Sequence, residues 1–234
     1  MSERENQMFD PREMVMVHTM LRREFGLLPD LLRATTASDA ERRAAISAHF
    51  DLIANILHHH HQAEDDHLWP QLLKRSVAAS SIVDVLETQH CELAALLESS
   101  RVCVRRWVSE SDLEHAAAAF DSVDQLNAAL DEHLRVEEQQ VVPLMQMHIT
   151  AAEWDAMVQL GAADADPQDL LLGLGMLAYE ADPDVLATAI AAIPADAQPA
   201  VRQLAADSFA QYSLQLYETV TPRRSTDLRR GQPG

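Results

Sequence analysis

The chain has 234 residues, 47% of them hydrophobic, which is ample for a buried core. Its 37 acidic against 18 basic residues leave a net charge of −19, which argues against nucleic-acid backbones and anionic membrane surfaces as partners and is compatible with cation handling. No stretch approaches the roughly 20 apolar residues of a spanning helix, and the N-terminus MSERENQMFDPRE is too charged for a signal peptide, so a cytoplasmic location is expected.

Scarce glycine, few aromatics and no alternating β-branched run make the expected fold class all-α. A first helix is expected over about 11 to 34, with Asp10 as N-cap, Pro11 at the first helical position and Glu13 in the first turn. Ser38-x-x-Glu41 and Ser111-x-x-Glu114 match the capping box and open a second helix over about 39 to 75 and a fourth over about 112 to 147. A third, over about 80 to 109, lies between them, and Pro29, Pro70 and Pro143 should kink or end their helices. Four long helices with short links imply an up-down-up-down bundle over residues 10–148. A helical extension over 150–220 follows. Thr150-x-x-Glu153 opens it, Asp166-Pro167 and Asp182-Pro183 start short helices, and a last helix runs from about 196 to 219. The closing TPRRSTDLRRGQPG, residues 221–234, is basic and polar and is expected to be disordered. Cys91 and Cys103 would stand about 18 Å apart on one helix, and should be reduced thiols.

The stretch LHHHHQAEDDHLWP, residues 57–70, satisfies His-x-x-x-Glu/Asp in two registers, His60 with Glu64 and His61 with Asp65. Residues four apart share a helix face, so either pair could converge on a metal. The fourth helix contains one such pair, in EHLRVEEQQVVP: His133 with Glu137, and Glu137 precedes Pro143 by six residues as Glu64 precedes Pro70. Aligning on the proline selects His60 and Glu64. The repeat extends backwards, since His18 precedes His60 by 42 positions and His90 precedes His133 by 43. Four imidazoles and two carboxylates from four helices suit two first-row transition metals; without cysteine among them, iron or manganese is favoured over structural zinc. Burying Glu64 and Glu137 without a cation would be costly.

These residues resemble the motif of the hemerythrin-like, HHE cation-binding family: His18, then His60 and Glu64, then His90, then His133 and Glu137, over roughly residues 10 to 148. The resemblance implies a four-helix bundle around two iron ions, a non-haem, oxo- or hydroxo-bridged pair that binds or reacts with O2, peroxide or NO. The C-terminal third is similar to an extension of actinobacterial members. Oxygen-carrying members have a second histidine four residues along the third helix; here that position is Ala94. Six protein ligands are therefore expected, with a position left for water, hydroxide or substrate.

His67, seven residues beyond His60 and within about 20° of it around the helix, is the candidate for an added ligand or proton donor, a solvated histidine being the simpler reading. His58, His59 and His61 should point elsewhere, and His49, His115 and His148 lie too far along their helices. Asp65 and Glu138 each follow a ligand glutamate; solvent-facing charge is the simpler reading, a hydrogen bond to a ligand imidazole the alternative. Leu57, Leu68, Trp69, Leu86, Leu130 and Leu144 read as core. The first tyrosine is Tyr179, beyond the bundle, so none is expected beside the metals. A ferritin-like site would need Glu-x-x-His on two helices; Glu64 with His67 and Glu87 with His90 match, but the fourth helix has none. No catalytic residue is assigned, and carrier, sensor and enzyme stay open. A different class is a metal- or redox-responsive module without turnover, read by a protein partner or a second copy through the C-terminal helices.

Overall fold

The computed structural model describes residues 7–36, 38–163 and 165–230. Four rods form the bundle: α1 (Pro11–Ala34), α2 (Ala40–Ala63) continued by α3 (Trp69–Arg75), α4 (Ser80–Glu110), and α5 (Leu113–Val136) continued by α6 (Val142–His148). α4 packs on α5 and α2, and α1 on α5 and α2, so the rods close around one interior. The all-α bundle is the expected fold. Asp10 caps α1 by accepting from the Arg12 N–H, and Pro29 sits inside α1 without ending it. Two caps differ from expectation by one residue. Asp39 and Asp112, instead of Ser38 and Ser111, accept from the Arg42 and His115 N–H groups, and Ser111 ends α4 in the left-handed region at φ 61°. An aspartate caps as well as serine and adds a charge suited to the positive end of the helix dipole.

The second and fourth rods are each interrupted by a five-residue π-turn, Glu64–Leu68 and Glu137–Val141. In both, the N–H five residues on, of Trp69 or Val142, reaches the carbonyl of the glutamate that opens the turn, and the proline follows immediately. Proline has no N–H to give to the ordinary ladder, so widening the turn just before it loses little. The Glu-x5-Pro repeat of the sequence is thus a repeated backbone irregularity with a carboxylate at its start.

The apolar interior falls into two clusters. One, with Met20, Leu21, Phe25, Ile53, Leu57, Leu93, Leu126, Leu130 and Leu134, fills one length of the bundle. The other, with Met14, Leu68, Trp69, Leu72, Val83, Leu86, Val141 and Met145, fills the far end. On every rod the candidate ligands lie in sequence between members of the two clusters: His18 between Met14 and Met20, Glu64 between Leu57 and Leu68, His90 between Leu86 and Leu93, Glu137 between Leu134 and Val141. A polar layer is therefore held between two apolar plugs.

The extension consists of α7 (Ala151–Gly161), α8 (Pro167–Glu180), α9 (Pro183–Ala189), α10 (Gln198–Tyr217) and α11 (Ser225–Arg230). Thr150 and Glu153 form the reciprocal capping box, and Asp166 and Asp182 cap α8 and α9 ahead of their prolines. α8 and α10 cross closely at Gly175, where an added Cβ would stand 2.3 Å from the Ala205 carbonyl oxygen. α7 lies on α2, while α8 and α11 lie on α1. The last segment departs from the expected disorder as far as residue 230; residues 231–234 lie outside the described residues. Its basic groups find partners on an acidic protein: Arg223 pairs with Asp30, Arg224 lies over the Tyr179 ring, and the Ser225 N–H and hydroxyl donate to Glu180. Among the described residues no helix is long and apolar enough to cross a membrane.

Candidate metal centre

The six residues selected by the repeat meet inside the bundle. Glu64 Oε1 lies 3.3 Å from His60 Nε2 and its Oε2 3.6 Å from His90 Nε2. Glu137 Oε2 lies 3.4 Å from His18 Nε2 and 3.7 Å from His133 Nε2. Glu64 thus reaches imidazoles of α2 and α4, and Glu137 imidazoles of α1 and α5. Two sets of donor atoms result, each within 4.8 Å: His18, His60, Glu64 and Glu137, and His61, His90 and His133.

The inward atoms lack partners. Nε2 of His18, His60, His61, His90 and His133, and both oxygens of Glu64 and Glu137, are buried without a hydrogen bond. Buried polar atoms are nearly always paired, and so many orphans pointing at one spot fit a cation as the missing partner. The outer nitrogens are paired: His18 Nδ1 to Glu138 at 3.0 Å, His90 Nδ1 to Asp65 at 2.8 Å and His133 Nδ1 to Gln89 at 3.1 Å. These oxygens accept, so each Nδ1 carries the proton and each Nε2 keeps a lone pair for a metal. Burial would raise Glu138, but hydrogen bonds from His18 and Arg22 outweigh it and hold the carboxyl at about 2. Glu64 behaves oppositely. Burial, then the neighbouring Glu137, push it well above the usual carboxylate range, so without a cation it would hold a proton. Burial likewise drives His60 and His61 well down, and His133 to about 3, keeping the imidazoles neutral.

Residues 11–145 match the family model of the hemerythrin HHE cation-binding domain. The chain belongs to that family. Nothing among curated proteins or solved structures matches it significantly. For this HHE protein a metal-binding function follows from the family and from the His/Glu groups together.

Two parts of the arrangement differ from what helix arithmetic gave. His61, expected to point away, is 6% exposed and stacks on His90 with ring centroids 4.0 Å apart. His67 is exposed and in neither donor set, because the π-turn inserts a residue between it and His60 and turns it off that face. Asp65 and Glu138 are acceptors for the His90 and His18 imidazoles, the alternative the sequence left open. Gln89 was not singled out at all; its position immediately before His90 gives no hint that it would serve His133 on the next helix. Cys91 is exposed and Cys103 half-buried, with no disulfide.

Two open cavities reach the centre. One of about 450 Å³ lies between α2 and α4, bounded by His61, His90 and Ala94. Another of about 370 Å³ lies between α2 and the extension, with His60, Ala63, Trp154 and Met157 in its wall.

Proposed function

We propose that this protein is a non-haem di-iron protein that binds or reacts with O2, peroxide or NO, with His18, His60, Glu64, His90, His133 and Glu137 as metal ligands. The observation that carries it is the pair of buried carboxylates, each within 3.7 Å of an imidazole on both sides of the bundle and otherwise unpartnered. Imidazole and carboxylate donors favour iron, with manganese as the other metal of suitable hardness. Bound iron supplies the electrons for capturing a diatomic ligand. The chain's own residues hold the His18, His90 and His133 tautomers through Glu138, Asp65 and Gln89, place the carboxylates at the start of the π-turns, and close the bundle along its length by the apolar plugs, which leaves the two cavities as approaches. A cytoplasmic protein with reduced cysteines accords with this reading.

The test is metal content per chain with the optical spectrum of the anaerobically reduced protein as O2 and then peroxide are added. Two irons and a ligand-dependent charge-transfer band are expected, and Glu137→Ala should lose at least one iron. Two irons retained in that variant, or one zinc per chain in the wild type, would overturn the assignment. Reversal of the band on removing O2 marks a carrier or sensor; consumption of peroxide or NO marks an enzyme.

A regulatory reading draws on a specific contact. α7 packs against α2 and the π-turn that opens with Glu64, and Gly161 approaches Ala63. Filling or emptying the centre would then reach the extension through that turn, as metal binding is linked to folding. A metal-dependent change in oligomeric state without turnover would favour it.

A further inference from the structure

We propose that His61 is a fifth imidazole ligand, completing a three-nitrogen set with His90 and His133 that the third rod does not itself supply. This rests on the two-metal reading above and adds a residue to it. Four residues beyond His90 the third rod carries Ala94, whose methyl group leaves a gap that the cavity between α2 and α4 occupies. His61 enters the same region from the opposite rod. Its Nε2 is buried and has no hydrogen-bond partner. Its ring lies parallel to that of His90, 11° apart, and edge-on to that of His133 at 4.8 Å.

A histidine retained in a core for packing or hydrogen bonding would find an acceptor or donor for that nitrogen. Here the neighbouring polar atoms are other Nε2 lone pairs and carboxylate oxygens that also lack partners, so a shared cation satisfies all of them together. With the His61 proton on Nδ1, as on His90 and His133, three lone pairs would face one another and repel without such a charge. Donors around one ion at about 2.1 Å stand no more than about 4.2 Å apart, close to the 4.8 Å within which the His61, His90 and His133 nitrogens already lie.

The consequence is an unequal pair. His18 and His60 give one metal two imidazoles, His61, His90 and His133 give the other three, and Glu64 and Glu137 serve both. The cavity walled by Trp154 and Met157 opens on the side of His60.

The experiment compares wild type, His61→Ala, Glu137→Ala and His58→Ala by iron content and by Mössbauer spectra of the iron-loaded proteins. Wild type should show two irons in unequal environments. His61→Ala should fall towards one iron per chain, or keep two with the three-imidazole signal changed, and added imidazole entering from the α2–α4 cavity should restore it. His58 is exposed, and its removal should change nothing. Two irons with an unaltered spectrum in His61→Ala would overturn the proposal while Glu137→Ala still loses iron; failure of wild type to bind two metals would instead overturn the underlying site. Should His61→Ala not fold, a crystal structure of the iron-loaded wild type decides: His61 Nε2 within about 2.3 Å of an ion supports the inference, and a longer separation ends it.

Discussion

Two clusters of buried polar side chains sit inside this molecule, and they are satisfied in opposite ways. At the candidate metal centre the inward nitrogens and carboxylate oxygens have no protein partner. Beyond the larger apolar cluster, where the extension docks, the acceptors are filled: Glu24 takes a hydrogen bond from Arg23 and one of 2.6 Å from the Tyr217 hydroxyl. His49 meets Tyr212 at 2.9 Å through Nδ1 and Tyr217 at 3.3 Å through Nε2. The Arg23 Nε and Nη1 make no hydrogen bond and are met instead by the faces of the Tyr179 and Phe209 rings and by the charge of Glu180, 3.7 Å from Nη1. Both clusters cost desolvation, but the carboxylate and imidazole of one are met by protein donors and acceptors, and those of the other face one another. The first is a clamp between bundle and extension; the second has the form of a binding site. Burial alone does not separate them, whereas the presence or absence of protein partners for their carboxylates and imidazoles does.

The largest expected effect follows from breaking the clamp. Glu24→Ala leaves Arg23 charged and buried and strips the Tyr217 hydroxyl of its acceptor, a change that costs about 3 kcal/mol or more. A melting temperature about 6 to 12 °C lower is expected for a chain of this size, with metal content unchanged. Loss of metal in this variant would show that the two clusters are one cooperative unit.

A smaller effect is expected from pH. Burial first, then the charge of Arg23, push His49 down to about 3. Arg23 and Glu24 of α1 and Tyr212 and Tyr217 of α10 face it. The unfolded chain takes up this proton below about 6.5 and the folded one does not until about 3, so the unfolded state binds more protons in that window and stability falls as pH drops through it. Between pH 7 and 5 the wild type should lose about 2 kcal/mol more than His49→Gln, at 1.4 kcal/mol per pH unit below the unfolded value. Parallel urea-denaturation curves for the two proteins across that range would contradict the assignment of His49 as buried and neutral.

How much of this was legible in the sequence depends on what the signal was. The repeat of histidine, His-x-x-x-Glu and proline located six converging side chains because residues on one helix face recur at a fixed spacing. His61 escaped for the same reason. It stands about 100° from His60 around the helix, and an arithmetic that assigns one face to the interior must send one of the two outwards. The rod is instead surrounded closely enough at this level for both to be buried, His60 towards His18 and His61 towards His90. His67 is exposed, in line with the simpler reading of it as solvated; what the sequence did not give is the π-turn that takes it off the His60 face. The clamp was least legible, since Tyr212 and Tyr217 lie more than 160 residues from His49 in sequence and neither stands in a recurring pattern.

The finest distinction between the clusters is drawn by Gln89. It accepts from His133 Nδ1 at 3.1 Å. Gln89→Leu removes that acceptor while keeping an apolar stem of similar length on α4. The His133 imidazole is then free to rotate or to place its proton on Nε2, where it would block the lone pair, so metal affinity should fall about tenfold or more. Chelator competition measures this directly. The metal-free protein, by contrast, should unfold at the same urea concentration as wild type within about 0.5 kcal/mol, since Gln89 is half-buried and the lost contact is one neutral hydrogen bond. The clamp variant loses fold and keeps metal; this one keeps fold and loses metal. Unchanged affinity in Gln89→Leu would mean that packing alone fixes the His133 ring, and that the outer hydrogen bonds of the centre are consequences of its geometry, not causes.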